Sequence, residues 1–418
     1  MARLAERFLN LWHLPAVFLG LILLTGTVAA FPAQGVEATA VRLVDNGKTT
    51  TFELTISKGL TAQVYTLANP YRVILDLPNL AFHLDPAAGQ KGRGVVSAFR
   101  YGLFAAHKAR VVIDTTGPVR IASAGMTRIP GSRALKLAIV LAPMDVAAFG
   151  AGTGAALAAA SPADIPRNSA PPEKADRKHK GHAKPVIVID PGHGGIDPGA
   201  IGANNVPEKS IVLAVALQLR EALQNTHRYE VKMTRKDDVF VSLDDRLKYS
   251  ADNDADLFIS LHADSIEQKK LSDSVRGATI YTLSSRASDE QARVMAEKEN
   301  ASDLIAGVNS VDEGSGEEVK NILIDLLKRE TSNFSADFSH VLTKKLGQSI
   351  TLARIPQKSA AFKVLKQTHA PSVLIELGYM SNASEEHEMM TVAWQSKVAQ
   401  AIASAVNVYF KKRTVANP

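Results

Sequence analysis

Four β-branched apolar residues running straight into a glycine turn constrain this chain more than any other stretch: Val186-Ile187-Val188-Ile189-Asp190-Pro191-Gly192-His193-Gly194-Gly195. Apolar residues without alternation predict a central strand covered on both faces. The glycines allow a tight turn and leave room beside one imidazole. Open α/β sheets bind ligands outside the carboxyl ends of their strands, which is where His193 stands. A histidine there needs partners, and the rest of the chain must supply them.

A chain of 418 residues, 46% hydrophobic and 22% charged, has room for two or three globular domains. Part of the net charge of +6 comes from Lys174, Arg177, Lys178, Lys180 and Lys184, which fits attraction to an anionic polymer or surface. Basic patches lack interleaved aromatics, so nucleic acid is not an expected partner. Cysteine is absent, so any metal must be held by histidine and carboxylate.

Arg3 and Arg7 precede an apolar run from about Leu14 to Ala30, with Val28 and Ala30 at the positions a signal peptidase prefers. Residues 1–30 therefore predict a cleaved export signal, with an uncleaved anchor as the alternative. No second run of spanning length follows, so no stable membrane span is expected after cleavage. Over 36–146 short runs of period two, such as Thr50 to Ile56, Tyr71 to Leu77, Ala109 to Asp114 and Ala134 to Leu141, predict a small all-β sandwich. His83 and His107 are isolated there, so this region reads as a binding module. Residues 147–184, rich in Ala, Gly and Pro and then basic, predict a flexible tether in which His179 and His182 are solvated.

From 185 to 412 strands and helices alternate, which predicts an α/β domain with a mixed, largely parallel sheet flanked by helices. Strands are expected at 186–190, 229–234, 257–261, 277–283 and 372–377. Ile211, Val215, Leu219 and Leu223 mark one buried face of a helix from Pro207 to Gln224, with Glu208 at its amino end. The strand Leu257 to Leu261 ends in His262, repeating the pattern of the first strand. On neighbouring strands, His193 and His262 would lie side by side. With Glu208 they make a three-ligand set that leaves a fourth position open, as catalytic zinc requires. Glu376 sits inside the apolar strand Ser372 to Leu377, where an unpartnered carboxylate is costly. Beside a metal it could move the proton of an attacking water to a leaving nitrogen. A structural histidine, a helix-start glutamate serving only the dipole, and a glutamate paired with an arginine remain open for each residue alone. Together the four point to a metal hydrolase.

The motifs Ile189-Asp190-Pro191-Gly192-His193-Gly194-Gly195, Glu208-Lys209, Ser260-Leu261-His262-Ala263-Asp264 and Pro371 to Asn382 resemble the zinc-dependent N-acetylmuramoyl-L-alanine amidases of the cell-division type. They occur in that family's order across nearly all of 185–412. Tyr71 to Pro78 and Arg110 to Asp114 are similar to the AMIN domain, a β module associated with peptidoglycan targeting. The resemblance implies that His193, Glu208 and His262 hold zinc and that Glu376 is the catalytic acid/base. It implies cleavage between N-acetylmuramic acid and the L-alanine of the stem peptide, in the periplasm, during septal wall splitting.

The same resemblance implies a regulatory insert at about 285–340, with a helix that occludes the zinc until a LytM-type activator displaces it. Ala287 to Ala306 is polar and helix-prone, Val311 to Gly316 is a break, and Val319, Ile322, Leu323, Leu326 and Leu327 form an apolar helical face. No strand is expected between Leu283 and Lys363. The segment from about 288 to 303 is expected across the site, with Glu290 as first choice for a fourth zinc ligand and Glu297 as second. The competing readings are an exported zinc peptidase acting within the stem peptide and an inactive wall-binding protein.

Overall fold

The computed structural model describes residues 35–85, 87–149, 183–265, 275–308, 321–367 and 369–416, with 321–330 and 414–416 described in backbone only. The signal peptide expected at 1–30, and all but the ends of the tether expected at 147–184, lie outside the described residues.

Nine strands come first: β1 (Val36–Asp45), β2 (Thr50–Ile56), β3 (Gln63–Leu67), β4 (Arg72–Pro78), β5 (Leu80–Phe82), β6 (Val96–Ala105), β7 (Lys108–Thr115), β8 (Val119–Arg128) and β9 (Leu135–Pro143). They form a five-stranded sheet, β5-β1-β2-β9-β8, and a four-stranded sheet, β3-β4-β7-β6. Alternate residues of both, among them Phe52, Leu54, Val73, Leu75, Val111 and Ile139, share one core, as in the expected sandwich. β4 departs from the simple alternation. Ile74, on its other face, is also fully buried, as is Val112 on β7.

The second half contains β10 (Val186–Pro191), α1 (Glu208–Gln224), β11 (Glu230–Met233), α2 (Leu243–Asp252), β12 (Leu257–His262), β13 (Ala278–Leu283), α3 (Glu290–Asn300), α4 (Ser302–Ile305), α5 (Asn321–Leu346), β14 (Leu352–Ala360), β15 (Ser372–Glu376), α6 (Ala383–Met389) and α7 (Val392–Ala416). The strands make one sheet in the order β11-β10-β12-β15-β13-β14. Its neighbours are parallel except for β13 against β15. Ile187 and Ile189 of β10 face a core built with α1, α5 and α7. Val186 and Val188 face a second core containing Leu243, Met295 and Phe362. Burial on both faces is why the strand shows no polar alternation.

One strand was not expected. β14 pairs only with β13, at the sheet edge, and carries Arg354, Pro356, Gln357 and Lys358. A proline and polar residues are tolerated on an edge and mask the apolar pattern. The helix expected around Val319 to Leu327 is the start of the longer α5, which buries Phe338, Leu342 and Leu346; the side chains of that expected apolar face lie outside the described residues. Among the described residues no helix is long and apolar enough to cross a membrane.

This topology places β10, β12 and β15 side by side. Pro191 pairs with Leu261, and His262 pairs with Glu376. Three carboxyl ends thus converge on one edge of the sheet.

Candidate metal centre

The turn after β10 is held open by two buried arginines. Arg246 Nη1 donates to Asp190 Oδ1 at 2.6 Å and to the Pro191 carbonyl at 2.8 Å, and Nη2 donates to the His193 carbonyl at 2.8 Å. Arg235 Nε and Nη2 donate to the carbonyls of Pro191 at 3.0 Å and Gly192 at 2.8 Å. With those carbonyls held, His193 adopts φ 57°, a left-handed conformation uncommon for a residue with a Cβ. Asp190 also accepts from Thr234 Oγ1 at 2.6 Å and Ser260 Oγ at 2.7 Å. Burial opposes its ionisation, but Arg246 and the two hydroxyls outweigh burial and hold its pKa below the ordinary value. Gly192 is needed for a different reason: a Cβ there would come within 2.4 Å of His262 Cε1, so the imidazole lies over bare backbone.

His193 Nδ1 lies 2.8 Å from Asp197 Oδ2, which fixes the tautomer with Nε2 bare and aimed inward. Glu208 opens α1 just after Pro207, the N-cap residue. Its Oε2 accepts from the Ala200 amide and its Oε1 from the Ala263 amide, both at 2.8 Å. Glu208 Oε1 is 3.2 Å from both His193 Nε2 and His262 Nδ1. A second carboxylate, Glu299 Oε2, is 3.3 Å from His193 Nε2 and 3.1 Å from His262 Nδ1.

These atoms fit a metal ion. Donors held tetrahedrally at about 2.0–2.2 Å from zinc lie roughly 3.3 Å from one another. The four cross-separations just given match that spacing, and His193 Nε2 and His262 Nδ1 are buried with no hydrogen-bond partner. The electrostatics agree. Burial disfavours charge on both imidazoles, yet Asp197, Glu208 and Glu299 hold the His193 pKa well above its ordinary value. Glu299 and Glu208 push His262 up to about 10. The cluster demands positive charge, from protons on the imidazoles or from a metal ion in their place.

Glu376 is wholly buried opposite His262. Its Oε2 accepts from the Asp264 amide at 3.0 Å, while Oε1 has no hydrogen-bond partner. Burial, with the charges of Asp264, Glu208 and Glu299, raises its pKa well above the ordinary carboxyl value, although His262 pulls the other way.

Glu299 replaces the residue expected from the sequence. α3 buries Ala292, Met295, Ala296 and Glu299, which share one face at helical spacing. Glu290 and Glu297 fall on the opposite, solvent face, and both pair with Arg293 between them. Helical register therefore excludes Glu290 and Glu297 from the cluster. α3 is tied down by an ion pair between Lys298 and Asp264, by Gln291 Nε2 donating to the Tyr379 hydroxyl at 3.1 Å, and by Asn300 Nδ2 donating to the Ala361 carbonyl at 2.9 Å. Just beyond it, Ser302 Oγ donates to Asp197 Oδ2 at 2.8 Å.

Of the residues singled out in the sequence, His193, Glu208, His262 and Glu376 are brought together. Glu299, which the sequence shows only as one acid of the polar stretch beside Glu290 and Glu297, is not among them, nor are Asp197 and the two arginines. A glutamate in the apolar stripe of a helix is a legible signal for the first, as Glu376 was in its strand. Asp197 lies in a loop with no periodicity to expose it.

Family models match both halves of the chain: the model described as N-acetylmuramoyl-L-alanine amidase matches residues 187–408, and that of the AMIN domain matches 40–138. The chain is 38% identical over 240 residues to the N-acetylmuramoyl-L-alanine amidase AmiA of Escherichia coli, covering 55% of this chain and 81% of that protein. It is 29% identical over 405 residues to the N-acetylmuramoyl-L-alanine amidase AmiC of Neisseria meningitidis serogroup B, covering 93% and 94%. Among solved structures, the catalytic domain of CwlV, an N-acetylmuramoyl-L-alanine amidase from Bacillus (Paenibacillus) polymyxa, is 27% identical with a TM-score of 0.38, covering 54% of this chain and 98% of that one.

Proposed function

Since the chain belongs to the family of N-acetylmuramoyl-L-alanine amidases, we propose that it is a periplasmic zinc hydrolase that cuts stem peptides from peptidoglycan and is held closed by its own insert. The observation that carries the metal assignment is the pair of buried, partnerless nitrogens, His193 Nε2 and His262 Nδ1, each facing Glu208 Oε1. His193, His262 and Glu208 would hold zinc, with Glu299 as a displaceable fourth ligand. Zinc held there would supply a Lewis acid for the scissile carbonyl.

The chain's own residues do the rest. Glu376 Oε1, free of hydrogen bonds and beside His262, takes the proton of the attacking water. As the C–N bond breaks, Glu376 returns that proton to the departing amide nitrogen of L-alanine. The Asp264 amide holds Oε2 and so fixes which oxygen does the work. Asp197 keeps His193 in the tautomer that leaves Nε2 free.

Burial supports the closed-state reading. Glu208 and Glu376 are 0% exposed, Glu299 4%, and His193 and His262 5% each, so a glycan-linked peptide cannot reach them without movement. The segment that must move is α3, which carries Glu299 and lies over the cluster. A LytM-type activator and a role in septal splitting accord with this reading and with the apolar, exportable amino terminus.

Zinc analysis of the purified chain, with mass spectrometry of digested wall, tests the assignment. An amidase releases intact stems that begin at L-alanine. Fragments cut between amino acids would instead favour the zinc peptidase, and a zinc-loaded, unlocked protein with no product would favour a wall-binding role.

A further inference from the structure

The face of the β sandwich that should meet water is buried against the insert. On β4 and β7 the outward positions are Arg72, Ile74 and Asp76, and Arg110, Val112 and Asp114. Ile74 and Val112 pack with Ile196, Phe240 and Ala306, so an apolar patch rimmed by charge is covered by the other half of the chain. Ala306 belongs to the end of the α3–α4 segment. There Val308 N–H donates to the Asp303 carbonyl at 2.9 Å and Gly307 N–H to the Leu304 carbonyl at 3.0 Å, with Gly307 at φ 72°, a capped helix end.

Two carbonyls of that end receive arginines from the β domain. Arg110 Nη1 donates to the Ala306 carbonyl at 3.1 Å, and Arg72 Nη1 donates to the Leu304 carbonyl. A helix carboxyl terminus attracts cations and has carbonyls to satisfy. Both guanidinium groups are pre-positioned: Arg72 by Asp114 at 3.1 Å, Arg110 by Asp76 at 2.6 Å, and Arg110 again by the Phe104 ring at 3.5 Å. A second contact joins the β domain to the loop that carries His193. The Leu103 carbonyl accepts from the amides of Ile196 at 3.1 Å and Phe240 at 3.2 Å. Gly102 faces Gly195 so closely that a Cβ on Gly102 would lie 2.2 Å from the Gly195 carbonyl oxygen.

We propose that this outer face of the β sheet is a receptor surface for the carboxyl end of the inserted helix, so that the β domain acts as a second latch on the closed site. The inference rests on the closed-state reading above and adds a holder to it. Releasing α3 requires breaking the contacts at Glu299 and those at Arg72 and Arg110. Anything that loosens the β domain from the helix end lowers the free energy needed to uncover the metal cluster.

The test uses the full-length, zinc-loaded chain with three changes made separately: Arg72→Ala with Arg110→Ala, Gly102→Val, and Glu299→Ala. The first removes the carbonyl contacts but also strands Asp76 and leaves Asp114 with Arg100 alone. Gly102→Val leaves those ion pairs intact and wedges the two halves apart. Two readouts are taken: hydrolysis of purified wall without activator, and amide hydrogen exchange over residues 290–305. The latch predicts faster exchange there and a rise in hydrolysis of about tenfold in both β-domain variants, the scale of losing charge-assisted hydrogen bonds. If Glu299→Ala raises hydrolysis while Gly102→Val changes neither readout, the latch is wrong and the closed-state reading stands. If Glu299→Ala raises nothing, the closed-state reading fails, and exchange at 290–305 alone decides whether the β domain holds the helix.

Discussion

Glu299 Oε2 lies 3.1 Å from His262 Nδ1 and 3.3 Å from His193 Nε2, so one carboxylate of α3 faces both imidazoles. Under the proposed function, a carboxylate in that position would both complete a metal site and close it. On that reading His193, Glu208 and His262 hold the metal and Glu299 must leave.

Glu376→Gln keeps the size of the side chain and removes its capacity to take a proton. Hydrolysis of purified wall by an unlocked form should fall about 10²–10⁴-fold, the usual worth of a general acid–base. Zinc content should be unchanged. Loss of zinc in step with activity would move Glu376 from proton carrier to ligand.

Gly192→Ala places a methyl group within 2.4 Å of the His262 ring. The ring must swing away, so zinc affinity should fall sharply while the sheet stays folded. Metal titration alongside far-ultraviolet circular dichroism checks both halves of the statement, and full zinc affinity in the variant would contradict the packing described.

Asp190 links pH to stability. Its folded pKa is depressed below 3.8 by Arg246 and two hydroxyls against the opposing effect of burial. The ionised form is therefore favoured in the folded state. Its contribution is fully present above the unfolded value and is lost as pH falls through the depressed folded value. Asp190→Asn strands Arg246 and should cost about 3–5 kcal/mol near neutrality. The gap between variant and native protein should narrow in denaturant titrations as the pH falls through that depressed folded value. A gap independent of pH would mean that the ion pair is not the source.

Much of the architecture was legible because burial leaves marks. β10, β12 and β15 read as central strands since both faces are covered, and Glu376 stands out as a carboxylate inside such a run. The AMIN-like sandwich was legible from period two. The edge strand β14 was not, because an edge imposes no apolar pattern. The first helix of the insert reads as polar, yet Ala292, Met295 and Ala296 form a thin buried stripe. Two of the three are alanines, which carry little hydrophobic signal, so Glu299 beside them passed as one acid among several. The contacts of Arg72 and Arg110 with the insert join residues far apart in the chain, and no local pattern announces them.

The most direct test of the account is the rate at which full-length, zinc-loaded Glu299→Ala releases stem peptides from purified peptidoglycan, compared with the native chain at equal zinc content. The account predicts that zinc stays bound by His193, Glu208 and His262 and that the rate rises about tenfold or more. An unchanged or lower rate at full zinc occupancy would contradict it.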